Sequence, residues 1–326
     1  MNESYLKDRI ATAKPEFVWQ DGRTQDWIQQ FRDAFRKCLG IEGWEKTALC
    51  PVSGPKIQLT GHTRTQFEFQ SRPGLQGFGY LLEPDDSEAA GPAILCLPGH
   101  GSGVDNIVGI LPLDYQADFA LQCVSRGYRV FAMEQFSFGH RRTDPSKGYT
   151  CMTDSPVALM LGESMAGWRV WDAIRVLDLM ETLPGVDVDN LAVMGISGGG
   201  LTALFTGCLD ARVKATVVSG YFNTFKDSIL SIDHCIDNYV PGLLNLTEMP
   251  DLASLIRPRY LFVESGKEDP IFPLEAFRYA VNLATQIYSD CPQNFDFEEF
   301  EGDHHFHGVS AFRFLEEHLP IRKNMA

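Results

Sequence analysis

No run of about 18 apolar residues occurs anywhere in the 326-residue chain, so nothing in it reads as a membrane-spanning helix. The stretch from Met1 to Asp8 has no apolar core of a secretory signal, which points to an unexported chain. Positive charge is scarce. The chain has 28 Lys and Arg against 43 Asp and Glu, a net charge of −15. Such an acidic surface repels phosphate backbones and anionic bilayers, which argues against a nucleic-acid or membrane partner. Paired cysteines are missing too. The eight cysteines stand singly at 38, 50, 96, 123, 151, 208, 235 and 291, with no Cys-x-x-Cys and no His-Glu-x-x-His to suggest a metal site. Neither repeats nor low-complexity tracts interrupt the chain. The expectation is a cytoplasmic protein with reduced thiols, no metal and no cofactor.

What is present is an apolar content of 44%, enough for a large core. Trp27, Ile28, Phe31, Phe35 and Leu39 recur at helical spacing and predict a helix over about 25–39. After Pro51-Val52-Ser53-Gly54-Pro55, alternating stretches at 66–70 and 77–82, split by Pro73-Gly74, predict antiparallel strands. From Ala93 onward apolar strands alternate with helices, the rhythm of a mostly parallel sheet covered on both faces. Strands are expected at 94–98, 129–133, 191–195, 215–219, 260–264 and 296–300. A long helix is expected over about 164–183, stopped by Pro184-Gly185. The forty residues between Ser219 and Tyr260 exceed a single crossover, so about 221–257 is expected to be an inserted helical cap. Twice a typical domain length thus becomes one α/β domain at 61–326, preceded by an N-terminal helical extension at 1–60.

The strand Leu191–Gly195 runs into Gly195-Ile196-Ser197-Gly198-Gly199, a Gly-x-Ser-x-Gly pentapeptide. A serine hydroxyl becomes a nucleophile when it protrudes past a sheet edge on a turn so tight that only glycine fits beside it. The pentapeptide alone arises by chance in roughly one such chain in seven, so its context decides. Here a strand precedes it and small residues opening a helix follow it.

This segment, with Glu264-Ser265-Gly266-Lys267-Glu268-Asp269-Pro270 and Phe300-Glu301-Gly302-Asp303-His304-His305-Phe306-His307-Gly308, resembles the α/β-hydrolase superfamily. Within it the chain looks most like the dienelactone-hydrolase-like and acetyl-xylan-esterase-like serine esterases. The resemblance covers roughly residues 67–319. It implies the α/β-hydrolase fold, with Ser197 as nucleophile, Asp269 as acid and His304 as base. His304 is selected by the family pattern Gly-x-His-x-Phe, with His305 as runner-up. A zinc reading of His304, His305 and His307 lacks accompanying ligands. Acyl transfer also needs two backbone donors aimed at the oxyanion. Gly198 follows the nucleophile, and the resemblance places the His100 N–H of Pro98-Gly99-His100-Gly101-Ser102-Gly103 as the second. That loop lacks Gly-Lys-Ser/Thr and does not read as a phosphate cradle.

The implied reaction is hydrolysis of a carboxylic ester, with short acyl groups on a sugar or small alcohol as the expected substrates. Serine stands where dienelactone hydrolases carry cysteine, which favours ordinary esters over lactones. Phe222, His234 and Tyr239 of the cap, with Glu134, Arg141 and His305, are the candidate substrate contacts. Two rivals stay open: a peptidase of the prolyl-oligopeptidase type, for which the N-terminal residues are too few to build a propeller, and a non-catalytic binding protein. A homo-oligomer is likewise left open.

Overall fold

The computed structural model describes residues 2–85 and 90–321. Its apolar runs form one nine-stranded sheet: β1 (Val52–Leu59), β2 (His62–Arg72), β3 (Leu75–Pro84), β4 (Gly91–Leu97), β5 (Arg129–Met133), β6 (Val186–Ile196), β7 (Val213–Ser219), β8 (Tyr260–Gly266) and β9 (Phe295–Phe300). The order across the sheet is β1-β2-β3-β5-β4-β6-β7-β8-β9. The strands β1 to β3 form an antiparallel meander that joins β5 antiparallel, and every pairing beyond it is parallel. This is the mostly parallel, doubly covered sheet of an α/β-hydrolase fold. No helix among the described residues is long and apolar enough to cross a membrane.

Successive side chains on a strand face opposite sides, so a central strand must be apolar on both. In β4, Ile94 and Cys96 enter a core with Phe119, Val124, Phe312 and Leu315. Ala93, Leu95 and Leu97 enter the opposite one with Val176, Leu177 and Ala203. The helix Met165–Met180 is capped by Ser164, whose side chain accepts from Gly167 N at 3.0 Å. It is buried almost all round rather than on one face. Its polar residues survive there only because they are paired: Asp172 with Arg141 at 2.6 Å, and Arg169 with Asp237 at 2.6 Å.

Two features depart from the sequence reading. The first sixty residues are not a helical appendage. Val52–Leu59 is the sheet's edge strand, and Pro55 lies at a register shift between Ser53 and Lys56, a place where a missing N–H breaks no ladder. The helix Gln25–Cys38 is capped by Thr24 and buries Ile28, Phe31 and Phe35. These join the cap residues Phe225, Leu243 and Met249 and the helix Gly198–Leu209 in one core. The chain ahead of it clasps the cap as well, with Phe17 N donating to Leu246 O at 2.8 Å and Trp19 N to Asp251 Oδ1 at 2.7 Å.

The cap forms short helical pieces at Ile236–Asn238, Leu243–Leu246, Met249–Leu252 and Ala253–Ile256. Most of its apolar side chains are core, so it is a wall of the domain rather than a hinged cover.

Phe35 is fully buried and meets Phe205 edge to face at 4.9 Å. Phe35→Ala is expected to lower the unfolding free energy by about 3–5 kcal/mol in urea titration. A change below about 1 kcal/mol would make the N-terminal helix a dispensable appendage.

Candidate active site

At the C-terminal end of β6 the chain turns directly into the helix Gly198–Leu209, and Ser197 is the turning residue. Its backbone sits at φ 56°, ψ −123°, a conformation costly to a residue with a Cβ. The crowding explains the pentapeptide. A Cβ on Gly195 would lie 2.2 Å from Gly199 O, and one on Gly199 would lie 2.0 Å from Leu97 O. Ser197 N donates to Ser219 O at 3.0 Å, which ties the turn to β7.

Asp269 lies in the loop after β8, nearly buried. Its Oδ1 accepts from Ile271 N at 2.8 Å and Phe272 N at 3.0 Å, and its Oδ2 pairs with His304 Nδ1 at 2.7 Å. Both carboxylate oxygens are therefore fixed, and through them the imidazole. His304 is stacked between Tyr115 and Phe272, each with centroids 5.6 Å away. Its Nε2 is buried without a hydrogen-bond partner. Tyr115 Oη donates to His100 O at 2.7 Å, and burial raises its pKa while the neighbouring Ser197 side chain opposes the shift. One tyrosine thus touches the serine, the histidine and the glycine-rich loop. Gly220, at φ +53°, makes room for the pair: a Cβ there would stand 3.0 Å from His304 Cε1.

Behind the histidine loop, Glu264 at the end of β8 is fully buried and accepts from Ser219 Oγ at 2.7 Å, His307 N at 3.1 Å and Gly308 N at 3.0 Å. Burial raises its pKa against those donors. With Glu298 and His307 it forms a group with metal-like spacing, but its lone pairs already hold the backbone that carries His304.

The loop after β4 brings His100 against the amino end of the helix Gly198–Leu209, where amides lack intrahelical acceptors. The close approach is visible at Gly198, where a Cβ would lie 3.0 Å from His100 Nδ1. His100 Nε2 pairs with Asp237 Oδ2 at 2.9 Å, and Arg169 Nη1 donates to the same oxygen. Burial pulls the His100 pKa down, but the Asp237 charge outweighs it and pushes the value up to about 9. Burial opposes ionisation of Asp237 as well, yet Arg169 and His100 hold its carboxyl far below the usual range.

The remaining sequence candidates divide. His234 stands edge-on to Phe272, one of the rings beside His304, at 6.2 Å, with Nδ1 buried and unpartnered. Burial and the His100 charge lower its pKa. Glu134 is not offered to a substrate: it is fully buried and accepts from Val104 N at 3.1 Å and His140 N at 3.1 Å, holding the glycine-rich loop. Arg141 pairs through Nη1 with Asp172 and Glu134 O, while its Nη2 is buried without a partner where it lines a cavity with Phe136 and His140. Phe222 is 1% exposed and belongs to the core. Tyr239 donates to Ile229 O at 3.3 Å and lines a separate cavity of about 220 Å³ with Phe225 and Leu243. His305 turns away to Asp303 at 3.0 Å and Phe300, so His304, not His305, meets Asp269. Tyr115, Phe272, Glu264 and the pair Arg169–Asp237 were missed, because no local pattern marks a residue that acts across the fold.

Fold and site together define an α/β-hydrolase, and the chain belongs to the Abhydrolase family, whose model matches residues 5–307. It is similar to YtaP of Bacillus subtilis (strain 168), provisionally named a hydrolase, at 29% identity over 219 residues, or 64% of this chain and 71% of that one. Among solved structures it resembles a Bacteroides fragilis NCTC 9343 protein provisionally named an acetyl xylan esterase (TM-score 0.79, 19% identity, 100% of this chain and 90% of that chain). It also resembles a glucuronoyl esterase from Solibacter usitatus (TM-score 0.69, 14% identity, 94% and 96%). At these identities the solved structures share the fold.

Glu134 gives a pH dependence. Burial raises its pKa to about 7, against the Val104 and His140 amides and the His140 charge, with Asp105 reinforcing the rise. A raised folded-state value means that folding retains a proton the unfolded chain releases, so stability falls as pH climbs from about 4.5 to about 7. Glu134→Gln should flatten that slope in urea midpoints measured across the window. An unchanged slope would assign the pH dependence elsewhere.

Proposed function

We propose that this protein is a serine hydrolase of carboxylic esters, working through Ser197, His304 and Asp269. The observation that carries the reading is the arrangement around His304: a carboxylate fixed on Nδ1, an unpartnered Nε2, and a tyrosine wall shared with a serine on a strained turn. Asp269 selects the tautomer with its proton on Nδ1, which leaves Nε2 as the base. The Ser197 hydroxyl gives its proton to Nε2 as Oγ adds to the ester carbonyl. The Gly198 and His100 amides receive the oxyanion. His304 then protonates the departing alcohol, and water, deprotonated by the same nitrogen, releases the acid.

The substrate class is a short acyl group, acetyl among them, on a sugar or other small alcohol. Support comes from the rings gathered around His304, Tyr115 and Phe272 with His234 beside them, and from proteins of this fold named as acetyl xylan esterases. A neutral ester also suits a chain of net charge −15, since the released carboxylate is repelled.

Ser197→Ala should reduce turnover of an aryl acetate by about four to six orders of magnitude and abolish fluorophosphonate labelling, with an unchanged circular dichroism spectrum. Retained activity would overturn the reading. His304→Ala should be comparably impaired, whereas His305→Ala should stay within about threefold of wild type. The reverse order would move the base to His305.

A further inference from the structure

Two cysteines have no part in the proposed hydrolysis, yet both stand beside a residue that does. Cys151 opens the helix Cys151–Met160, and Cys235 immediately precedes the cap turn Ile236–Asn238, which carries Asp237. His100 arrives from the loop after β4. From these three separate segments, one ligand atom each of His100, Cys151, Cys235 and Asp237 comes together, all within 4.8 Å of one another. All eight cysteines of the chain are free thiols in this structure.

We propose that these four side chains form a binding site for one zinc-type divalent ion, which fastens the cap turn and the helix Cys151–Met160 to the glycine-rich loop. Two thiolates, an imidazole and a carboxylate match the borderline-soft preference of zinc and exclude magnesium and calcium, which favour all-oxygen sites. A tetrahedral ion with ordinary bond lengths needs donors about 3.3–3.8 Å apart, so a pair at the 4.8 Å limit would close by about 1 Å, while His100 Nε2 and Asp237 Oδ2, now 2.9 Å apart, would open slightly as the ion replaces their shared proton.

The charge balance also fits. Two thiolates and one carboxylate around a divalent ion leave a single negative charge, and the Arg169 guanidinium beside Asp237 cancels it. Arg169 is buried and donates to Asp237 Oδ2 at 2.6 Å and to Phe136 O at 2.9 Å. Asn238 Nδ2 donates to Asp237 Oδ1 at 2.8 Å. These contacts orient the carboxylate as outer partners orient metal ligands. His100 and Cys235 are partly exposed, which gives an ion access, whereas Cys151 and Asp237 are closed off.

The functional consequence rests on the serine-hydrolase reading. Since the His100 backbone N–H is the proposed second oxyanion donor, an ion on its ring would fix the loop that aims this donor.

The test is titration of chelator-treated full-length protein with Co²⁺ under a phosphine reductant. Saturation at one ion per chain, with a thiolate-to-cobalt charge-transfer band and intense tetrahedral visible bands, is expected. Zn²⁺ should displace the cobalt and, at about a hundredfold over Kd, raise Tm by about 4 °C. The Cys151→Ser/Cys235→Ser double variant, folded by circular dichroism, should lose the charge-transfer band and the zinc-dependent Tm rise. No such band in the wild type, or a band surviving in the double variant, would overturn the site. Fluorophosphonate labelling of the same wild-type samples separates the two readings: the cobalt band without labelling upholds the ion site and sinks the hydrolase reading, and labelling without the band does the reverse.

Discussion

The arrangement depends on one crowded crossing, where β6 turns into the helix Gly198–Leu209. Leu97 O of the neighbouring β4 occupies the space a side chain at 199 would need, and Gly199 O the space of one at 195. With both glycines in place, Ser197 turns the chain between them, held at a positive φ. Strain of this kind costs on the order of 1–3 kcal/mol and persists only where the surroundings over-determine it. Here they do: β4 on one side, β7 through the Ser197 N to Ser219 O bond on the other, and a helix buried along its whole length beyond.

Buried carboxylates then fix everything around the turn. Asp269 holds the imidazole, Glu264 the backbone behind it, Glu134 the glycine-rich loop, and Asp237 the His100 ring and Arg169. Each is buried, and each is satisfied by backbone amides or a cation, as burial of a charge requires. The acidic composition therefore has two layers. Most of the negative charge faces solvent, whereas these few carboxylates act as clamps between segments distant in sequence.

The fold was largely legible. The parallel strands β4, β5, β6 and β8 carry apolar runs of four or five residues, since a strand buried on both faces must be apolar, whereas β7 is interrupted by Thr216 and the outer strand β9 carries Asp296, Glu298 and Glu299 on a partly exposed ribbon. The edge strand β1 escaped because Pro55 reads as a breaker, and only pairing with β2 shows that the proline sits at a bulge. The standing of the first sixty residues escaped for a similar reason. Helical periodicity predicts the helix Gln25–Cys38, but not that its apolar stripe completes a core with the cap.

Patterning along the chain suffices for the elements from β2 onward and their order, and for the chemistry that lies in a contiguous pattern: a serine between glycines after a strand, then an acid and a histidine after later strands. These are local because turn geometry and strand patterning are local. The Gly-x-His-x-Phe pattern already favoured His304 over His305, and the fold sets it on Asp269; packing alone decided that Glu134 and Phe222 are spent on structure. It alone brought Tyr115 against both the His304 ring and Ser197, and His100, Cys151, Cys235 and Asp237 to one point. Those outcomes depend on contacts between residues as far apart in the chain as Tyr115 and His304, and such contacts are set by how helices and loops pack over the sheet rather than by any spacing along the chain.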